Sequence, residues 1–279
     1  MSLRFNMLLA DQGIVPANVR LLRHQTSKVR VRTPYTLWRD DRAEFERYQS
    51  YQLGGKREAL FRAPYWASFV APPAGGTMFV GLYAASRIGP APPGSLDPLG
   101  GGPMDARVEL YDVRLDPTLS DYIGRLFVHW GDSSSARRAW VQRADRRDKP
   151  IVELSRAFQE EAFPGFTRLI RPLSEIETMP ATWKEVLRAS RGVYLLACPR
   201  TREHYVGSAY GEQGFLGRWS SYVATGHGGN VGLRVRDPSD YVVSVLEVAG
   251  SGATVEDILA LEATWKVKLL SRDIGLNFN

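Results

Sequence analysis

Two short strand-like runs, each carrying one glycine and one tyrosine, constrain this chain more than any other feature. Gly192-Val193-Tyr194-Leu195-Leu196 is followed by the turn-rich Pro199-Arg200-Thr201-Arg202-Glu203 and then by His204-Tyr205-Val206-Gly207-Ser208. β-prone residues on both sides of such a spacer predict a hairpin bearing two tyrosines. Residues 215–225 read as a helix in which Arg218 and Tyr222 stand four apart, so a guanidinium and a phenol share one face. The run Tyr241-Val242-Val243-Ser244-Val245-Leu246-Glu247-Val248 predicts another strand, and Gly250-Ser251-Gly252 leads into a helix of residues 255–270. Thr254, with Asp257 three residues on, is a variant capping box that marks its start. The apolar stripe of that helix is Ile258, Leu261, Trp265 and Leu269, and at about 100° per residue Glu262 falls inside the same arc. Burying a lone carboxylate is costly, so Glu262 is expected to meet a cation or a metal ion.

These residues resemble the GIY-YIG nuclease domain. Its two signature triplets correspond to Gly192-Val193-Tyr194 and Tyr205-Val206-Gly207, each with valine in place of isoleucine. The match continues through an arginine after the hairpin (Arg218), a hydroxyl or imidazole side chain four residues on (Tyr222), a glutamate in the penultimate helix (Glu262) and an asparagine beyond it (Asn277). The ending Asn277-Phe278-Asn279 leaves Asn279 as the alternative. The resemblance covers residues 191–279, and its combined pattern is far more specific than either triplet alone.

The resemblance implies metal-dependent hydrolysis of DNA phosphodiester bonds, and the residue types suit that chemistry. Arg218 is the fixed cation beside a phosphate that gains charge under in-line attack. Glu262 is the one protein carboxylate on a divalent ion, Mg²⁺ or Mn²⁺, whose other ligands are waters and phosphate oxygens. Tyr194 is the expected acceptor of the proton from the attacking water, with Tyr205 and Tyr222 orienting water or phosphate. A phenol with a pKa near ~10 is a poor base at neutral pH unless a metal and Arg218 depress it. Asn277 is expected to hydrogen-bond near the site and hold the C-terminal segment. His227, in Gly226-His227-Gly228-Gly229-Asn230, is a candidate substrate contact or a plain loop histidine.

The preceding two-thirds of the chain is the natural candidate for a DNA-recognition module. Arg20, Arg23, Lys28, Arg30 and Arg32 fall in a stretch without an acidic residue. Such a run tracks phosphates or forms a solvated helix face or loop. A second cluster, Arg137, Arg138, Arg143, Arg146, Arg147 and Lys149, is interleaved with Asp145 and Asp148. Short β-prone runs at 66–70, 78–83, 108–113 and 124–130 predict a compact barrel or curled sheet, and the Gly/Pro-rich stretch from Gly89 to Pro103 predicts a long surface loop. Tyr65, Trp66, Phe69, Phe79, Tyr83, Trp130 and Trp140 are expected mostly in its core, with one or two open to stacking on a base. Phe79-Val80-Gly81-Leu82-Tyr83 resembles strands of PUA-like barrel domains, which implies RNA or modified-base binding.

The expected fold class is therefore α+β: a β-rich, barrel-like nucleic-acid recognition domain over residues 1–150, a connector over 151–190, and a GIY-YIG-type domain over 191–279 with a small antiparallel sheet flanked by helices. The function expected is a metal-dependent DNA endonuclease, in restriction or defence, sensing sequence or modified bases. A non-catalytic nucleic-acid-binding protein on a nuclease scaffold and a repair nuclease for branched or damaged DNA are the alternatives. Double-stranded DNA is the expected partner, and breaking both strands calls for a homodimer or two successive nicks. One cysteine, Cys198, excludes an intramolecular disulfide, and four scattered histidines lack a zinc-site spacing. An excess of 36 Lys and Arg over 30 Asp and Glu fits an acidic partner. No run nears the ~18 apolar residues of a membrane span, and Met7-Leu8-Leu9-Ala10 is too brief for a secretory signal, so the cytoplasm is the expected location and no membrane partner is expected.

Overall fold

The computed structural model describes residues 3–25, 32–131, 140–226 and 241–277, without the side chains of 56–58. Lys28, Arg30, Arg137, Arg138, His227 and Asn279 lie outside the described residues. The chain is α+β and divides into two units, Met1–Glu160 and Glu161–Asn279. No helix among the described residues is long and apolar enough to cross a membrane.

The first unit holds α1 (Phe5–Asp11), β1 (Val19–His24), α2 (Pro34–Asp40), α3 (Arg42–Ser50), β2 (Tyr51–Leu53), β3 (Tyr65–Val70), β4 (Met78–Pro90), β5 (Val108–Asp116), β6 (Leu126–Val128), β7 (Val141–Arg143) and β8 (Ile151–Leu154). They form one curled mixed sheet in the order β2-β5-β4-β3-β1-β7, with β6 bridging β4 and β8. β1 and β3 run parallel, and the other pairs are antiparallel. β3 is central and covered on both faces, which explains its unbroken Trp66-Ala67-Ser68-Phe69-Val70 pattern. On one face Phe5 and Leu9 of α1 meet Leu21, Phe69 and Phe79. On the other, Trp38 of α2 and Phe45 of α3 meet Trp66, Val80 and Tyr83. Gly81, at φ +152°, sits beside the β3–β4 bulge, where a Cβ would come 2.7 Å from the Tyr83 ring. The expected loop begins later than Gly89, because β4 runs on to Pro90 and pairs with β5 through Gly89 and Pro90.

The second unit holds β9 (Ile170–Pro172), α4 (Ala181–Arg188), β10 (Gly192–Ala197), β11 (His204–Ala209), α5 (Gly214–Thr225), β12 (Val242–Val248) and α6 (Val255–Lys268). Its antiparallel sheet has the order β11-β10-β12-β9. β10 and β11 form the hairpin, in a register that sets Tyr194 opposite Gly207. α4 and α5 pack together over Trp183, Phe215 and Trp219, while α6 lies against β10 and β11. Both halves of the capping box at Thr254 and Asp257 are made. Residues 151–190 are not a separate connector. β8 belongs to the first sheet, and β9 pairs with β12 in the second. A three-residue strand that ends in proline gives too short a pattern to read from sequence.

His24 closes β1 against the rings of Phe45 and Tyr48 and is buried. Burial disfavours its charged form and holds its pKa at about 3. Since the folded value lies below the ordinary 6.5, the stabilisation is complete above that pH and is lost as pH falls from there toward about 3. Denaturant unfolding of the wild-type protein should lose up to about 1.4 kcal/mol per pH unit across that window from this one group, and His24→Phe should flatten the dependence. An unchanged slope in His24→Phe would remove His24 from the account.

Candidate active site

The hairpin, α5 and α6 bring most of the sequence-predicted residues of the second unit to one place. A cleft of about 640 Å³ is lined by Tyr205, Ser208 and Tyr210 after the hairpin, Arg218 and Ser221 of α5, and Leu259 and Glu262 of α6, among others. Tyr194 and Tyr222 stand behind its wall. The Tyr194 hydroxyl lies 2.9 Å from that of Tyr222 and accepts a hydrogen bond from Arg218 Nε at 3.1 Å. The guanidinium also sits 5.0 Å from the centre of the Tyr222 ring, and the Tyr205 ring packs edge-on against Tyr222.

This arrangement depends on glycine at two strand positions. A Cβ on Gly207 would lie 2.5 Å from the Tyr194 hydroxyl, and one on Gly192 would lie 2.1 Å from the carbonyl oxygen of Glu247. The two triplet glycines therefore admit, respectively, the Tyr194 phenol and the close pairing of β10 with β12.

Electrostatics bear on all three groups of this cluster. Its side chain is fully buried, and burial raises its pKa above the ordinary value although Arg218 pulls the other way. Burial and the neighbouring phenols raise Tyr222 as well. For Arg218, burial works against the charge, yet the oxygens of Tyr194 and Tyr222 hold the pKa above its usual value. Burial thus favours the protonated form of Tyr194, whose hydroxyl accepts from Arg218 and which does not line the cleft. Tyr205 and Tyr210 are the phenols on the cleft wall.

Glu262 meets a cation from its own helix. Lys266 Nζ lies 2.8 Å from Glu262 Oε1, with side-chain exposures of 7% and 12%, and the Ser208 hydroxyl donates to Oε2. The buried residues of α6 are Ile258 and Lys266, and Glu262 is half-buried, as are Leu261, Trp265 and Leu269 of the expected stripe. Each carboxylate oxygen keeps a second lone pair, and the group faces the cleft, so a divalent ion fits there with Glu262 as a single protein ligand. Among the described residues no group of three or more His, Cys, Asp or Glu side chains gathers to form a cage.

Asn277 stands apart from the cleft. Its Oδ1 accepts from the Val206 N–H at 2.9 Å and its Nδ2 donates to the Val206 carbonyl at 2.8 Å. One side chain thereby satisfies a backbone donor and acceptor of the edge strand β11 and ties the end of the chain to the hairpin.

Ser208 and Lys266 were not singled out from sequence. The Glu262–Lys266 spacing of four is a helical ion-pair signal, but such pairs are ordinarily solvent-exposed. In the first unit, Arg20 and Arg23 lie on β1, not on a helix face or loop, and are half-buried; burial lowers both pKa values. Arg20 faces Arg143 directly across the β1–β7 ladder, which joins members of the two basic clusters. Arg32 is exposed. Trp66, Phe69, Phe79, Tyr83 and Trp130 are core residues, while Tyr65 and Trp140 are half-buried.

No protein-family model, curated protein or solved structure matches this chain.

The glycine requirement gives a paired test. Gly207→Ala should cost about 1–3 kcal/mol in thermal or denaturant unfolding of the second unit, because the methyl displaces Tyr194. Gly211→Ala, where a Cβ meets nothing within 4 Å, should fall within about 0.5 kcal/mol of wild type. Equal effects of the two would show that the Tyr194 packing does not depend on Gly207.

Proposed function

We propose that the second unit is a metal-dependent phosphodiesterase of the GIY-YIG type acting on DNA, with substrate recognition supplied by the first unit. The observation that carries this reading is the meeting of Tyr205, Arg218 and Glu262, from a strand and two helices, in one cleft. Their order along the chain matches that of the resembled family.

Arg218 holds a non-bridging phosphate oxygen, its guanidinium oriented by the buried Tyr194 hydroxyl at Nε. Pre-orientation matters because a donor fixed before reaction needs no rearrangement as charge develops. Tyr205 orients the attacking water from the cleft wall, the role expected of it from sequence. Ser208 and Lys266 hold the Glu262 carboxylate at the cleft. A divalent ion bound at Glu262 would lower the pKa of its water and neutralise charge on the phosphate. The basic residues of β1 and β7 are the proposed backbone contacts of the recognition unit, and the preference among plain, modified and branched DNA is assigned to that unit.

One observation favours a second reading. The Lys266–Glu262 pair neutralises the carboxylate, so the cleft tolerates a phosphate without a metal, as a non-catalytic DNA-binding scaffold requires. Incubating the purified protein with supercoiled plasmid and with modified phage DNA, in Mg²⁺ or in EDTA, separates the two. The nuclease reading expects Mg²⁺-dependent nicking that falls at least ~100-fold in Arg218→Ala and in Glu262→Gln, with DNA binding kept in Glu262→Gln. Undiminished cutting by Glu262→Gln contradicts the metal assignment, and tight binding with no cutting of either substrate favours the scaffold.

A further inference from the structure

Glu262 lines the cleft, and its ion-pair partner Lys266 is buried beside it. Glu262 is half-buried on α6, and it is bound at both oxygens by groups of this chain. Lys266 takes Oε1 from four residues along the same helix, and Ser208 takes Oε2 from β11. The ammonium is confined: its side chain is 7% exposed, and it belongs to a helix that packs on β10 and β11. It cannot leave Glu262 for bulk water without opening that packing. A dication that approaches the carboxylate from the cleft therefore meets an attraction and a nearby repulsion of comparable range. The other charged groups on the cleft wall do not tip this balance, because Glu212 and Arg218 are of opposite sign.

We infer that Lys266 is a positioning residue that acts as a resident counter-ion to Glu262: it holds the carboxylate in place and makes divalent-metal capture by the free protein weak, so that ion and phosphate enter the cleft together. This rests on the reading of Glu262 as the metal ligand. The phosphate supplies the negative charge that the free cleft lacks, and its oxygens supply ligands that a single carboxylate cannot. Removing the Lys266 charge should then strengthen metal binding in the absence of DNA, whereas a residue that merely fills space would leave metal affinity unchanged or lower it.

The test titrates Mn²⁺ into the full-length protein without DNA and follows free Mn²⁺ by electron paramagnetic resonance. Lys266→Met should bind Mn²⁺ at least ~10-fold more tightly than wild type, and Lys266→Arg, which keeps the charge, should stay within about two-fold of it. Adding Glu262→Gln to Lys266→Met should abolish the gained affinity, which locates the ion at this carboxylate. Thermal unfolding is recorded for each variant. If Lys266→Met does not fold, Lys266→Gln, which removes the charge but retains a donor toward Oε1, carries the same expectation. Mn²⁺ binding by the charge-removed variant no tighter than by wild type overturns the inference. So does a gain that survives Glu262→Gln. Because the readout is metal on the DNA-free protein, absence of DNA cleavage counts against the nuclease reading alone.

Discussion

The contact on which the second unit depends is the hydrogen bond between two buried hydroxyls, Tyr194 on β10 and Tyr222 on α5. A buried phenol without a partner costs on the order of 1–3 kcal/mol, so each hydroxyl stabilises the other. Arg218 donates into the same oxygen of Tyr194, one turn before Tyr222 on α5. The sheet, the helix and the guanidinium at the cleft wall are thereby locked to one point. Gly207 is the condition for that lock, since the hydroxyl occupies the space a side chain there would take. The orientation of the cleft cation follows from packing behind it: buried phenol oxygens hold the Arg218 guanidinium in a set position at the cleft wall.

Glu262 and Lys266 show the complementary constraint. Either charge alone on the inner line of α6 would be destabilising by several kcal/mol, and together with the Ser208 hydroxyl they form a satisfied unit. A hydrophobic pair of similar size would meet the packing demand as well or better, so the pair is best understood through what it presents to the cleft. Asn277 extends the same economy of polar groups to the edge of the sheet, where both of its amide atoms engage the backbone of Val206.

How much of this could be read in advance depends on the range of the interactions. The hairpin, α5, β12 and α6 are set by local signals: β-prone runs around a turn, helical periodicity and the Thr254–Asp257 box. The meeting of Tyr205, Arg218 and Glu262 was legible through the spacing of the motif. The protonated state of Tyr194 was not, because it depends on complete burial that only the packing of Phe215, Trp219 and Tyr222 around it produces. β9 was hidden in a supposed connector because three residues carry no period. In the first unit the parallel pairing of β1 with β3 joins segments more than forty residues apart, and no local pattern encodes its register. The same non-local pairing brings Arg20 opposite Arg143, a juxtaposition of like charges that neither sequence cluster reveals.

The most direct test of the central claim is a crystal structure of the Glu262→Gln protein with a short DNA duplex. The account predicts a backbone phosphate in the cleft, with a non-bridging oxygen on the Arg218 guanidinium and the Tyr205 hydroxyl turned toward the same group. DNA bound on another face, with no phosphate between Arg218 and residue 262, would contradict it.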